Sequence, residues 1–152
     1  MSAGTAEVQP SHTDVYQNVQ NAAARLLAGH GRRQHGLRQV MCDEFHWLQV
    51  TDRINYKLCL LVYKALHGFA PDYLSELCIP ASSVNYRSHL RSVHQGDLIV
   101  LRIRLARYGQ RAFAYAAPCV WNSLPTDLKD YNLSLAVFKC RLKSYFLTRH
   151  NL

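Results

Sequence analysis

Apolar residues of this chain recur at the three- and four-residue spacing that places side chains on one side of a helix. The first such set consists of Val15, Val19, Ala22, Ala23, Leu26 and Leu27. It lies between Ser11, a residue type typical of a helix start, and Gly29. Further apolar sets predict a helix over residues 37–47, a short helix over residues 72–77 and a last helix over residues 134–149.

The most apolar predicted helix begins at Thr51 or Asp52 and ends near His67, where Gly68 provides a stop signal. Apolar side chains occupy more than one of its sides, so we expect a helix that is buried on more than one side. One polar stripe remains, formed by Arg53, Lys57 and Lys64.

The spacing changes to a period of two between residues 98 and 105. The alternating residues there are Leu101, Arg102, Ile103, Arg104 and Leu105, a pattern typical of a β-strand. Beyond Gly109, we expect Pro118 to interrupt any single helix over residues 111–124. The pattern predicts a mainly α fold, a helical bundle-like domain with a small β element around residues 98–105.

Composition and pattern divide the chain into three predicted segments. Residues 1–10 are small and polar, and we expect them to form a disordered leader. Residues 11–80 hold the first helices, and residues 81–152 hold the short strand and the terminal helix. With 152 residues, of which 49% are hydrophobic, the chain has about the size and apolar content of one folded domain.

The formal net charge of the chain is +8 at pH 7. Such a charge favours acidic partners, nucleic acid above all, although a merely solubilising surface has the same composition. No stretch reaches the ~18 uncharged apolar residues of a membrane span, so we expect no membrane partner. Five cysteines without a CxxC pair, and no segment typical of a signal peptide, indicate reduced thiols in the nucleus or cytoplasm rather than secretion.

Six arginines crowd one part of the chain, with Asp97 as the one acidic residue among them. They are Arg87, Arg91, Arg102, Arg104, Arg107 and Arg111. A guanidinium group can donate two parallel hydrogen bonds to a phosphate, so these residues are the candidate nucleic-acid contacts. Tyr108 would add a stacking surface for a base. The alternative is a solvated strand face whose charges prevent edge-to-edge aggregation.

No arrangement of residues predicts catalysis, a cofactor or a metal site. The set His30, His35, Cys42 and His46 has donor atoms that suit zinc, but its spacing fits no usual finger. We expect structural histidines and a buried thiol instead. Trp47 and Trp121 are expected to be core residues whose N–H groups find carbonyl partners. No nucleophile–base pair or glycine-rich phosphate loop has a credible setting.

Two long blocks of the sequence have many residue types at fixed spacing. They are FHWLQVTDRINYKLCLLVYKALHGFAPDYLSEL, residues 45–77, and LRSVHQGDLIVLRIRLARYGQRAFAYAAPCVWNSLP, residues 90–125. Both resemble the C-terminal part of the reverse transcriptase polyprotein of LINE-type (non-LTR) retrotransposons. QNVQNAAARLLAG, residues 17–29, and the last helix with Phe138 and Lys139 extend the resemblance to residues 15–149. The chain departs from the family at Gln49 and Leu101, where the family usually has proline, and at Ile103, where it usually has threonine.

The resemblance implies that residues 11–80 are thumb-like and that residues 81–152 form a post-thumb region. It implies contact with the backbone of RNA or of an RNA–DNA hybrid, and a protein partner in the palm region of a reverse transcriptase. The family's polymerase site needs two adjacent aspartates to hold Mg²⁺, and this chain has no Asp-Asp pair. We therefore expect no enzymatic activity and assign no catalytic residue.

Two functional hypotheses follow from the sequence. In the first, the chain is a non-catalytic fragment of a LINE-type reverse transcriptase that contacts nucleic-acid backbone through its arginines. In the alternative, it is a protein-interaction module or a non-functional relic of a retroelement, without nucleic-acid binding. The two differ in whether the basic charge binds phosphate or only solubilises the protein.

Overall fold

The computed structural model describes residues 12–31, 35–83, 96–101, 109 and 111–149. Those residues form six α-helices and two short 3-10 turns, so the predicted mainly α fold class is confirmed. The helices are α1 (His12–Ala28), α2 (Leu37–Asp43), α3 (Val50–Leu66), α4 (Asp72–Ser75), α5 (Phe113–Asn122) and α6 (Leu135–Thr148), and the turns are Ala81–Ser83 and Thr126–Leu128.

Internal contacts divide the chain into an N-terminal unit, Met1–Arg53, and a C-terminal unit, Ile54–Leu152. The division falls inside α3. The predicted boundary after residue 80 lies within the C-terminal unit, and its separation of a thumb-like from a post-thumb region stays a prediction. The predicted leader, residues 1–10, lies outside the described residues.

The first helix has the predicted apolar side, but that side faces solvent. Leu26 is 85% exposed and Val19 is 64% exposed, whereas Ala24 on the opposite side is fully buried. Polar groups hold the buried side in place: the Gln20 side chain donates a hydrogen bond to the Leu48 carbonyl at 2.9 Å. Such a hydrogen bond contributes to the attachment of α1, together with the burial of Ala24.

The start of α3 differs from the predicted cap. The helix begins at Val50, one residue before Thr51, so neither Thr51 nor Asp52 is the residue that precedes it. Instead, the side-chain oxygen of Gln17 accepts a hydrogen bond from the Val50 N–H at 2.9 Å. A residue of α1 thus satisfies a helix N–H that would otherwise have no partner within α3.

The second helix is shorter than the predicted span of residues 37–47, because the chain turns away after Asp43. His46 has a positive φ of 51°, which no helical residue adopts. The backbone N–H of Trp47 then reaches back to the Met41 carbonyl at 2.7 Å. The turn ends α2 without a glycine to signal it.

The core of the C-terminal unit is built from aromatic and aliphatic residues of α3, α5 and α6. The ring of Tyr63 stacks on that of Phe138 with 4.4 Å between centroids, and Trp121 lies 5.9 Å from the same Phe138 ring. Leu142 and Phe146 continue the buried side of α6. Burial of each such side chain contributes about 1.5–3 kcal/mol to the free energy of folding.

Pro118 lies inside α5, so the prediction that it would interrupt a helix there is wrong. A proline within a helix removes one backbone hydrogen bond and crowds the preceding turn. The side chains of Pro118, Ala117 and Trp121 are all buried in this helix. The burial of these side chains offsets the lost backbone hydrogen bond. Local sequence signals do not reveal that burial.

The predicted β element around residues 98–105 is described only over residues 98–101, where Leu98 forms an isolated antiparallel bridge with Pro80. The flanking Ala81 and Ile99 N–H groups donate to the carbonyls of Asp97 and Ile79, each at 2.9 Å. Proline has no N–H, so it suits the position of an antiparallel pair that makes no hydrogen bond. Residues 102–105 lie outside the described residues.

All five cysteines lie among the described residues, and each is a free thiol. Within those same residues, no helix combines the length and the apolar character that crossing a membrane requires.

Candidate nucleic-acid interface

Trp121 and Asn122, at the end of α5, hold the chain segment that leads toward the arginines. The indole N–H of Trp121 donates to the Gly96 carbonyl at 2.9 Å. The Asn122 amide donates to the Leu98 carbonyl and accepts from the Leu98 N–H, both at 2.8 Å. One side-chain amide thus satisfies both backbone groups of a buried residue, as a neighbouring strand would. The expected core role of Trp121, with its N–H on a carbonyl, is confirmed.

Asp97, which lies between those two anchored residues, forms an ion pair with Lys129. The distance between Lys129 Nζ and Asp97 Oδ1 is 2.7 Å, and the side chains are 4% and 18% exposed, respectively. The same ammonium group donates to the Asn122 carbonyl at 2.9 Å. Because both charges are largely withdrawn from water, the loss of either partner would leave a poorly solvated charge.

Gly96 is required at the start of this segment for two reasons. Its φ is +68°, in the left-handed region that favours glycine. A Cβ at this position would also lie 3.3 Å from the Cβ of Lys129, which is tighter than an ordinary contact. The close approach of Gly96 allows Lys129 to reach Asp97.

Of the six predicted phosphate contacts, the structure describes Arg111, which is exposed just before the start of α5. The other five lie outside the described residues: Arg87, Arg91, Arg102, Arg104 and Arg107. Residues 102–108 and 110 are not described, and the described residues on either side, Leu101 and Arg111, both belong to the C-terminal unit. The assignment of these arginines to nucleic-acid contact stays a prediction.

A second basic surface lies on α6. Lys139, Arg141 and Lys143 are all exposed, and the helix contains no acidic residue. Lys139 and Lys143, four residues apart, are neighbours on one side of the helix. Of the polar stripe predicted on α3, Lys57 is exposed and Lys64 is half-buried.

Two residues that the sequence did not single out fix the loop before α6. The ring of His67 stacks between Tyr63 and Tyr131, with centroid distances of 3.9 and 4.3 Å. Its ring nitrogens lie 2.8 Å from the Tyr63 carbonyl and 3.0 Å from the Tyr131 carbonyl. The second of these two residues is Lys129, which forms the ion pair with Asp97. Each of them also contacts one residue more than 30 positions away in sequence, Tyr131 for His67 and Asp97 for Lys129, which no local pattern signals.

The histidine and cysteine set has structural contacts. His46 Nδ1 lies 3.1 Å from the Cys42 carbonyl, and burial raises the pKa of the Cys42 thiol above its ordinary value. In the part of the chain that the structure describes, no group of three or more histidine, cysteine, aspartate or glutamate residues is placed to hold a metal ion.

Trp47 is not the core residue that the sequence predicted. It is half-buried and lines an open, mainly apolar cleft of about 430 Å³ in the N-terminal unit. Tyr16, Val19 and Ala23 of α1 form one wall of the cleft, and Val50 lies beside Trp47.

No protein-family model, curated protein or solved structure matches this chain. The resemblance to the reverse transcriptase family therefore rests on the sequence blocks 45–77 and 90–125.

Proposed function

We propose that this chain is a non-catalytic nucleic-acid-binding fragment related to the C-terminal part of a LINE-type reverse transcriptase. Its basic residues contact the phosphate backbone of RNA or of an RNA–DNA hybrid. The catalytic aspartates belong to the palm region of such an enzyme, which is the protein partner that the resemblance implies. The observation that carries the proposal is the ion pair between Asp97 and Lys129.

That ion pair matters because of the charge around it. Between Glu76 and Asp127 the sequence contains six arginines and one acidic residue, Asp97. Among the residues that the structure describes, Lys129 forms the ion pair with Asp97. A residue from outside the segment thus engages its one carboxylate. Arginines in such number, with no second acidic residue among them, favour binding to a polyanion.

The position of the segment supports the same function. Gly96 and Leu98 are fixed to α5 by three hydrogen bonds, so the backbone shortly before Arg102 has a defined position. Contacts to phosphate from a positioned backbone cost less conformational entropy than contacts from a free chain. Trp121 and Asn122 therefore serve the interface by positioning it and do not themselves contact the ligand.

Salt dependence tests the proposal. Binding of a labelled RNA–DNA hybrid is measured by fluorescence anisotropy between about 50 and 200 mM salt, where release of counterions from contacted phosphates weakens binding steeply. The test variant replaces Arg102, Arg104, Arg107 and Arg111 with glutamine. The logarithm of the binding constant decreases linearly with the logarithm of the salt concentration. We expect the steepness of this decrease to be smaller by about 3 in the variant, since each lost phosphate contact removes roughly 0.7–0.9.

A variant with the same loss of charge elsewhere serves as the matched control. It replaces Arg32, Arg33, Arg38 and Arg149 with glutamine, and we expect it to keep most of the slope. An equal loss in both variants would show that only net charge matters. Absence of hybrid binding in the unaltered protein would favour the alternative, a protein-interaction module or a relic without nucleic-acid binding.

A further inference from the structure

The solvent-facing side of α1 has the spacing of a helix-pairing seam. Val15, Val19, Ala22 and Leu26 follow one another at intervals of four, three and four residues, and all four are exposed. This alternation of three and four is the spacing by which one helix packs along another. An isolated exposed apolar residue needs no explanation, but a continuous row along a whole helix indicates a contact surface.

We infer that this seam pairs with the same seam of a second copy of the chain, with the two helices antiparallel. In that arrangement Val15 faces Leu26 of the other copy, and Val19 faces Ala22. Each layer then combines a larger with a smaller side chain. A parallel pair would instead place Ala22 against Ala22 and leave a gap between the larger layers, which close packing disfavours.

Charge favours a second copy at this surface. The whole chain carries +8, so two copies repel each other at most orientations. The helix α1 contains one acidic residue, Asp14, and one basic residue, Arg25, and therefore has no net formal charge. By contrast, the charged residues on the exposed side of α6 are all basic. The seam is thus a face on which two copies can meet without bringing like charges together.

The cleft beside the seam extends the contact. Val19 belongs to both surfaces, Tyr16 lines the cleft next to it, and Trp47, Val50 and Arg53 lie on the far side. A helix of 17 residues is about 25 Å long, so the seam and cleft together cover less than the ~800 Å² per partner of a standard interface. Interfaces below the standard size are typical of transient association, so we expect a weak and reversible dimer.

Sedimentation velocity over a concentration series tests the inference on the full chain. The unaltered protein is expected to shift from monomer toward dimer as its concentration rises through about 100 μM. Val19→Glu places a charge in the seam and is expected to weaken dimerisation at least tenfold. Val137→Glu, at an exposed valine of α6, is the matched control and should leave dimerisation unchanged. Circular dichroism establishes that both variants keep their helices.

A mixing experiment tests the antiparallel arrangement. Val15→Glu and Leu26→Lys are each expected to be monomeric, whereas their mixture should dimerise, because the carboxylate introduced into one variant would face the ammonium group introduced into the other. A chain that stays monomeric up to about 1 mM, or a Val19→Glu variant that still dimerises, would overturn the inference. So would a seam that binds an apolar helix of another protein while the chain itself stays monomeric.

Discussion

The side-chain amide of Asn122 closes a two-bond ring with the backbone of Leu98, donating to its carbonyl and accepting from its N–H. Leu98 is buried and 24 residues away in sequence. The amide therefore links the end of α5 to the segment that leads toward the predicted phosphate contacts. Loss of this link would remove the positioning on which the proposed interface depends.

The Asn122 link predicts a specific cost on substitution. Asn122→Asp keeps the acceptor for the Leu98 N–H but sets a carboxylate oxygen against the Leu98 carbonyl. We expect the free energy of unfolding to fall by about 1–3 kcal/mol, the cost of a buried polar group left without its partner. Chemical denaturation followed by circular dichroism measures it. Asn18→Asp, at an exposed site of α1, is the control, and an equal effect of both substitutions would contradict the prediction.

The ion pair between Lys129 and Asp97 predicts non-additive substitutions. Lys129→Met leaves Asp97 partly buried without its partner, and we expect a loss of about 2–3 kcal/mol. This is below the 3–5 kcal/mol of fully buried pairs, because Asp97 is 18% exposed. Asp97→Asn added to Lys129→Met should recover part of the loss. Additive effects in the double-mutant cycle would show that the two side chains do not interact.

Gly96 and Gly68 form a matched pair for a test of crowding. Both have a left-handed backbone, with φ of +68° and +72°, but only Gly96 has an atom near the place of a Cβ. Substitution by alanine should cost about 1–2 kcal/mol at either site because of the backbone conformation. At Gly96 the Lys129 side chain should add about 1 kcal/mol. Equal losses of stability at Gly96 and Gly68, measured by thermal or chemical denaturation, would show that the Lys129 side chain moves aside freely.

Cys59 predicts a loss of stability in alkali. Burial raises the pKa of its thiol from the ordinary 9.0 to about 12. Above pH 9 the thiol ionises in the unfolded chain while it stays protonated in the folded one, so its contribution to stability is complete below pH 9 and is lost as the pH rises toward 12. The stability advantage of the unaltered protein over Cys59→Ala should therefore shrink by about 1.4 kcal/mol at pH 10.

Denaturation of the two proteins at several values between pH 8 and 11 measures that difference directly. Cys140→Ala, which removes an exposed thiol, should change the stability at pH 7 by less than about 0.5 kcal/mol. A difference between Cys59→Ala and the unaltered protein that stays constant from pH 8 to 11 would contradict the assigned burial of Cys59.

Sequence patterns predicted the helices where local signals agree. The apolar run of α3 with Gly68 after it, and the apolar stripe of α6, gave bounds within one or two residues of those observed. The direction in which α1 turns its apolar side was not predictable. Helical spacing shows which residues share a side, but whether that side is buried depends on contacts such as Gln20 to Leu48, 28 residues apart.

The hydrogen bonds that hold Gly96 and Leu98 on α5 were also beyond prediction from sequence. Trp121 was predicted to lie in the core, but a pattern of residue types cannot show that Trp121 and Asn122 bond to the backbone groups of Gly96 and Leu98. Lys129 gave no signal, because a single lysine after a turn usually lies in solvent. Long-range pairs of this kind are set by tertiary packing and have no local periodicity.

The two tryptophans of the chain lie in different units, Trp47 in the N-terminal one and Trp121 in the C-terminal one. Trp121 is enclosed in a core and hydrogen-bonded, whereas Trp47 borders an open cleft. Their emission spectra should therefore differ in wavelength, and single replacement of either by phenylalanine isolates the other. Tryptophan fluorescence thus follows the unfolding of each unit separately without an added label. Unfolding transitions at the same denaturant concentration would show that the two units unfold cooperatively.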